Sequence, residues 1–410
     1  MQQTFTGEAI DEWSKPFYWE ALCKELDIGK IELDTGGEHC PNRCQSTPDP
    51  QLRLQGFSQV EAGRVDPLLL SEVCDGIRAL NEAGFPATFI LLFDAAWKIA
   101  SYAKTTLTNA TSVQHEFQYD ALAWCVTGAG FSPHRDRQPE DAADSFDSDG
   151  NPSLVTHWIA LTDATPATSC LYVIPKPYDP GYIAGDIAEE HPLQRALSQP
   201  SNYQHIRAIP RAAGESVIFT HRIIHWGSAR DPATKLPPRM ALSFTAALPT
   251  YEAPYLLPST PFPPPFAARL FLVCSQMICY YQRFDLPPTC LEACYTYCCQ
   301  HHEGVAVPKY WQRVQREYCK ARHETKPADS DAEEALMDAM LDEPDEFGDD
   351  FEEQQLEEEQ TSGGGSGLEE EDEDDVGDTL FSNDCEDDTA EPSDRADSGG
   401  ASNAKRQRRS

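Results

Sequence analysis

In the run Gly128-Ala-Gly-Phe-Ser-Pro-His134-Arg135-Asp136-Arg137 an imidazole and a carboxylate stand two positions apart. On an extended chain such residues point to the same side, so His134 and Asp136 can reach one metal ion together. A second imidazole, His225, closes the β-like run Ser216-Val-Ile-Phe-Thr-His-Arg-Ile-Ile-His225 and precedes Trp226-Gly-Ser. Two histidines and one carboxylate on one face of an octahedron form the donor set of non-haem Fe(II) oxygenases. Three positions stay open, two for a bidentate 2-oxo acid and one for dioxygen. A 2-oxo acid with a distal carboxylate also needs a fixed cation. Arginine suits it, because a planar guanidinium grips a carboxylate with two parallel hydrogen bonds. Arg239, at the head of Arg-Met-Ala-Leu-Ser-Phe, is placed for that role.

Each assignment has a rival. His221 lies four residues before His225 and shares its face on a strand, and the Trp-Gly-Ser that follows favours His225. Arg230 competes with Arg239, and placement on a strand, which holds a guanidinium more rigidly than a loop, favours Arg239. Arg135 and Arg137 have two readings, steering an acidic substrate or pairing with the acidic loop 140–149. That loop, Asp144-Ser-Phe-Asp147-Ser-Asp149-Gly150, lacks the closing Glu of a calcium loop and reads better as a rim or lid over the site. Cys290, Cys294 and Cys298 form a helical stripe beside His301 and His302, with apolar core favoured over zinc. Cys40 and Cys44 make half of a metal site with no second pair at zinc-like spacing.

The elements that must position these groups are legible in part. Asp66-Pro67 is an N-cap and first-turn proline, followed by Leu70, Val73, Ile77 and Leu80 at helical spacing and a stop at Gly84. Residues 88–93 (TFILLF) read as a short buried strand, with Asp94 capping a helix to about Tyr102. β periodicity follows: Phe117, Tyr119, Ala121 and Ala123 alternate, and 154–161, 170–174, 215–220 and 239–248 are strand candidates. Short strands with Gly, Pro and Asp punctuation suggest a β-sandwich or jelly roll.

In order, the strand and glycine turn before His134, Trp158-Ile-Ala-Leu-Thr-Asp, Cys170-Leu-Tyr-Val-Ile-Pro, Gly214-Glu-Ser-Val-Ile-Phe, His225-Trp-Gly-Ser and Arg239 resemble the phytanoyl-CoA dioxygenase-like family over about residues 65–248. Upstream, Gly84-Phe-Pro and Phe93-Asp-Ala-Ala-Trp97 extend the likeness. The resemblance implies an α+β fold with a double-stranded β-helix (jelly-roll) core and flanking helices. It implies Fe(II) as cofactor with 2-oxoglutarate and O₂ as cosubstrates. It assigns the metal to His134, Asp136 and His225, the 2-oxoglutarate carboxylate to Arg239, and a wall of the cosubstrate pocket to Trp158. Two departures, Thr168-Ser169 for the family's Asn-Gly and Lys176-Pro177-Tyr178 for its Gly-Ser-His, lie on the substrate side. They bear on the family's acyl-CoA substrate and leave the iron site untouched.

Four segments follow: an N-terminal extension (1–64), the dioxygenase jelly roll with its N-terminal helices (65–250), a Pro-rich linker with a Cys-rich helical extension (251–324), and a disordered acidic tail with a basic end (325–410). The chain of 410 residues carries a net charge of −36, of which the tail, with 31 acidic and 6 basic residues, supplies −25. The body is mildly acidic and has no basic stripe to displace counterions from phosphates, which argues against a duplex nucleic-acid binder. No apolar run reaches membrane-spanning length, and the start lacks a signal-peptide pattern. The 14 cysteines are scattered, as reduced thiols of an intracellular, cytoplasmic protein. Lys405-Arg406-Gln-Arg408-Arg409 reads equally as a nuclear-import patch and as a plain basic end. Leu336, Met337, Met340 and Leu341 offer a short helix for a protein partner within a tail too polar to fold alone. The expected substrate is a small molecule or lipid-like compound. Two other readings are a catalytically inactive jelly-roll scaffold and a metal-dependent hydrolase on a cupin-like barrel; the latter has no need of Arg239.

Overall fold

A computed structural model describes residues 7–31, 49–61, 65–111, 114–136, 142–187, 190–284 and 286–325. Cys40, Cys44, Arg137, the 336–341 helix candidate, the acidic tail and the basic end lie outside the described residues.

Among the described residues nine strands run in chain order: β1 (Phe57–Val60), β2 (Glu116–Val126), β3 (Phe131–His134), β4 (Leu154–Ala160), β5 (Leu171–Ile174), β6 (Arg207–Ile209), β7 (Ser216–Thr220), β8 (Ile224–Gly227) and β9 (Arg239–Ala247). They form two antiparallel sheets, ordered β1-β7-β4-β9-β2 and β3-β8-β5-β6. Consecutive strands from β2 onward cross repeatedly from one sheet to the other, which makes the double-stranded β-helix. Between the sheets lie Trp158, Leu171, Val173, Val217, Phe219 and Ala241. The alternation along β2 sorts its residues: Phe117, Ala121 and Ala123 face the outer helical core, and Asp120, Leu122 and Trp124 face the interior cleft. A bulge shifts the β2–β9 register between Phe117 and Ala121, with Tyr119 left-handed at φ 64°.

The helix Pro67–Glu82 begins as its sequence dictates, with the Asp66 carboxylate accepting from the Leu68 N–H at 2.9 Å. Residues 88–93 are not a strand. Ala87–Leu92 is a 3₁₀ helix with all six residues buried. An apolar run covered on every side has no polar face to reveal its period, so strand and helix read alike. The next helix spans Asp94–Ala110, two turns beyond the expected end, because Ala96, Ala100, Ala103 and Leu107 continue a buried stripe. Asp94 is not its cap. Its carboxylate pairs with Arg269 Nη1 at 2.6 Å and accepts from the Gly29 and Lys30 N–H groups.

Residues on both sides of the jelly roll pack into its core. Trp13 and Trp19 are buried against Phe85 and Phe89, with ring centroids 4.9–5.9 Å apart. The helices Phe266–Cys279, Pro288–His301 and Pro308–Thr325 follow the proline-rich segment, and all three contribute to the same apolar cluster. Cys290, Cys294 and Cys298 are core residues of the second of these helices, fully buried. Burial and neighbouring thiols push their pKa values up, and they belong to no metal-ligating group among the described residues.

Candidate metal centre and cleft

β3 and β8 pair so that His134 and His225 stand directly opposite one another. Their rings lie 4.4 Å apart by centroid. Gly130 makes this approach possible: a Cβ there would run into the backbone carbonyls of Gly227 and Ser228. Asp136, just past β3, reaches back with Oδ1 3.4 Å from His225 Nε2 and 3.7 Å from His134 Nε2. Ligand atoms of all three residues lie within 4.8 Å of one another, close enough to hold one metal ion.

The surroundings orient each donor. His134 Nδ1 lies 2.7 Å from the Ser132 carbonyl and His225 Nδ1 3.3 Å from that of Ile223. Donation there fixes the tautomer and leaves each Nε2 lone pair for a metal. The Thr156 hydroxyl donates to Asp136 Oδ2 at 2.6 Å, so Oδ1 faces the imidazoles. Burial, helped by the nearby His225, lowers the His134 pKa from 6.5 to about 4. Burial alone would raise the Asp136 carboxyl, but His225, His134 and Thr156 outweigh it and hold Asp136 below the usual carboxylate range. The site is therefore a neutral imidazole beside a carboxylate anion, the protonation that metal ligation requires.

A cleft opens onto these groups from inside the jelly roll, lined on its inner side by Phe131, Trp158, Leu171 and Arg239. Arg239 is 1% exposed, and its Nε and Nη1 are buried without a hydrogen-bond partner. Its guanidinium lies over the Trp158 and Phe131 rings at 5.5 and 5.8 Å. Burial lowers its pKa from 12.5 to about 10, still cationic at neutral pH.

The rivals lie elsewhere. His221 is buried against the Leu154 carbonyl at 2.8 Å and does not line the cleft. Arg230 is held by the Thr234 and Leu236 carbonyls in its own loop. Arg135 is buried against Asp179 and Asp186 and does not line the cleft. Among the described residues the 144–150 loop does not line the cleft. Asp147 closes it locally, accepting from Asp149 N–H, Asn151 N–H and Asn151 Nδ2. Sequence reasoning missed Asp120, Trp124, Thr156, Tyr280 and Arg283, which also line the cleft. Asp120 and Trp124 could have been found from β2 alternation. Nothing local marks Tyr280 and Arg283, which the docked helix Phe266–Cys279 delivers.

Residues 65–231 match the family model for phytanoyl-CoA dioxygenase (PhyH). This domain belongs to the phytanoyl-CoA dioxygenase-like family. It is an oxygenase domain. No curated protein matches the chain at a significant level. Among solved structures the chain is similar to the non-heme alpha ketoglutarate dependent epimerase SnoN from nogalamycin biosynthesis, at 17% identity and TM-score 0.36 over 48% of this chain and 78% of that one. It is also similar to EctD from S. alaskensis with 2-oxoglutarate and 5-hydroxyectoine, at 13% identity and TM-score 0.35 over 49% of this chain and 74% of that one. The phytanoyl-CoA dioxygenase-like match ends at Asp231, so β9 with Arg239 and the segment bearing Tyr280 and Arg283 complete the cleft from beyond it. Where the family pattern has glycine, Ser169 takes the left-handed conformation at φ 77°. Among the described residues no helix is long and apolar enough to cross a membrane.

Proposed function

We propose that the domain hydroxylates an organic substrate with consumption of O₂ and 2-oxoglutarate, held by His134, Asp136 and His225 through Fe(II) and by Arg239 through the distal carboxylate of the cosubstrate. The observation that carries this reading is Arg239. A buried cation with two unpartnered nitrogens costs several kcal/mol unless an anion meets it. It opens into the same cleft as the three metal-ligating groups, and a dicarboxylate spanning the two satisfies both.

When bound, Fe(II) with O₂ and 2-oxoglutarate supplies the oxidising power that turns substrate C–H into C–OH, with succinate and CO₂ as coproducts. The protein's residues position and protect. Thr156 locks the Asp136 carboxylate, the Ser132 and Ile223 carbonyls lock the imidazoles, and Trp158 and Phe131 sandwich the guanidinium. The apolar walls Leu171 and Phe219 keep water from the reacting region. We place this activity in residues 65–250, with residues 251–324 completing the cleft wall, and we take the substrate to be a small or lipid-like molecule. The acidic tail would serve a protein partner, and the basic end would allow nuclear entry.

The test is succinate formation by the purified full-length protein with Fe(II), 2-oxoglutarate and O₂, against the same mixture lacking each component. Turnover should require all three and vanish in Asp136→Ala. No succinate, but turnover of a substrate that needs the metal and neither O₂ nor 2-oxoglutarate, would replace this reading with the metal-dependent hydrolase. Failure of the wild type to bind Fe(II) and 2-oxoglutarate would leave the inactive scaffold.

A further inference from the structure

Arg283 sits in the 3₁₀ turn Tyr281–Arg283, directly after the buried helix Phe266–Cys279. Its guanidinium lies 5.4 Å from the Tyr280 ring. Tyr280 is itself anchored, its hydroxyl donating to Asp120 Oδ2 at 2.8 Å. Asp120 spends that same oxygen on the Tyr255 hydroxyl, so it stays with the tyrosines. Arg283 makes no ion pair among the described residues. That is notable on a body that carries net negative charge, where a surface arginine would ordinarily find a carboxylate.

Its location gives the unpaired charge a use. Arg283 lines the catalytic cleft, where its charge is one of the influences that keep the His134 imidazole neutral. It also lines a second groove, as do Trp124 and Phe131. Further along, that groove is walled by Phe85, Ala87, Phe284 and Leu286, and by the backbone of the Gly128–Gly130 turn. Trp124 and Phe284 stack face to face at 5.2 Å and 6°, and Phe131 meets Trp124 edge-on at 4.7 Å. An exposed arginine, resting against the Tyr280 ring, therefore stands where two grooves meet, one leading to the metal-ligating groups and the other carrying the Trp124, Phe131, Phe284 and Leu286 side chains on its wall.

We propose that Arg283 anchors a compact anionic group, carboxylate or phosphate, of the substrate at this junction, so that the substrate is an amphiphilic anion with an apolar portion along the adjoining groove. This deepens the proposed function and rests on it. Arginine binds such a group with two parallel donors, and the anchored head sets which carbon reaches the metal side. Arg239, deeper in the cleft against Trp158 and Phe131, is committed to the carboxylate of 2-oxoglutarate and is not available to the same anion.

The test uses full-length protein loaded with Mn(II) and 2-oxoglutarate without O₂, titrated with decanoate, decyl phosphate and decanamide, with calorimetry as the readout. Wild type should bind at least one of the two anions roughly tenfold or more tighter than decanamide, the scale of one charge-assisted contact. The favoured anion tells carboxylate from phosphate. Arg283→Gln should level the three ligands, and Arg283→Lys should retain part of the preference. Equal binding of all three to wild type, binding of none, or a preference surviving in Arg283→Gln would overturn the proposal. Mn(II) and 2-oxoglutarate affinities come from the same titrations. If these are normal while the preference is missing, the Arg283 proposal alone is wrong; if these fail, the oxygenase reading fails too.

Discussion

Arg135 and Asp179 are joined by two hydrogen bonds, Nη1 to Oδ2 at 2.7 Å and Nη2 to Oδ1 at 3.0 Å, with both side chains essentially sealed from solvent. Arg135 stands between two candidate metal ligands, and strand alternation turns it away from the cleft. Asp186 adds Nε and Nη2 contacts at 2.7 and 2.8 Å, and the Arg222 carbonyl accepts from Nη1. The backbone that presents His134 and Asp136 is thus clamped from its outer side by the segment 179–186. Breaking a buried pair by removing one partner costs about 3–5 kcal/mol. Asp179→Asn should lower the melting temperature markedly and weaken Fe(II) binding without changing any ligand. Gly181→Ala should act similarly, since a Cβ there would lie 2.5 Å from Asp186 Oδ1 and 2.8 Å from Arg135 Nη2. Unchanged metal affinity in a folded Asp179→Asn variant would show that the clamp supports the fold and not the site.

Arg239→Ala should raise the apparent KM for 2-oxoglutarate and leave Fe(II) affinity near normal. Removing one member of a buried charge pair costs on the order of 2–5 kcal/mol, roughly 30- to several-thousand-fold in affinity. Lysine at 239 should rescue in part, offering charge without the planar fork. Arg230→Ala should do little, because that side chain is spent on its own loop. Succinate formation against 2-oxoglutarate concentration decides it; a KM shift in Arg230→Ala alone would move the anchor to the loop.

His157 is fully buried, with Nε2 2.8 Å from the Ser216 hydroxyl, and burial lowers its pKa from 6.5 to about 3. The folded state therefore binds its proton less readily than the unfolded chain. Its contribution to stability is complete above pH 6.5 and is lost as pH falls toward 3, at up to about 1.4 kcal/mol per pH unit. Chemical denaturation of the metal-free protein between pH 7 and 5 should show this slope. His157→Gln should reduce the slope by about one proton, whatever it does to stability at pH 7. An identical slope in the variant would mean the imidazole is not held neutral.

Trp19 is sealed within an aromatic cluster with Trp13, Phe85 and Phe89, its Nε1 donating to the Trp13 carbonyl at 2.8 Å. Trp19→Ala should cost about 3–5 kcal/mol, as for other buried aromatics. An N-terminal extension outside the folded unit would lose almost nothing, so a denaturation midpoint separates the two.

Much of the site was legible because its information is local. His134 and Asp136 share a face by strand geometry, and the Asp66-Pro67 cap and the β2 alternation are written in a few adjacent residues. Where information was not local, reading failed in a physically consistent way. Ala87–Leu92 is buried on all sides and shows no period. Asp94 has the residue type of a cap, yet its partner is Arg269, far along the chain.

By itself the sequence determined which groups could do chemistry: two imidazoles, a carboxylate and an arginine in a recognisable order. Spacing and residue type suffice for that, because they bear on side-chain chemistry and on contacts within a few residues. Only the tertiary structure decided which histidine and which arginine reach the cleft, since His221 and His225 differ by a turn and a register, not by composition. Likewise, only packing brought Arg283 to the mouth, made Asp179 the partner of Arg135, and drew residues 7–31 and 251–325 into the core. Those outcomes depend on long-range burial and strand pairing, where each residue's environment is set by chain segments that its neighbours in sequence do not encode.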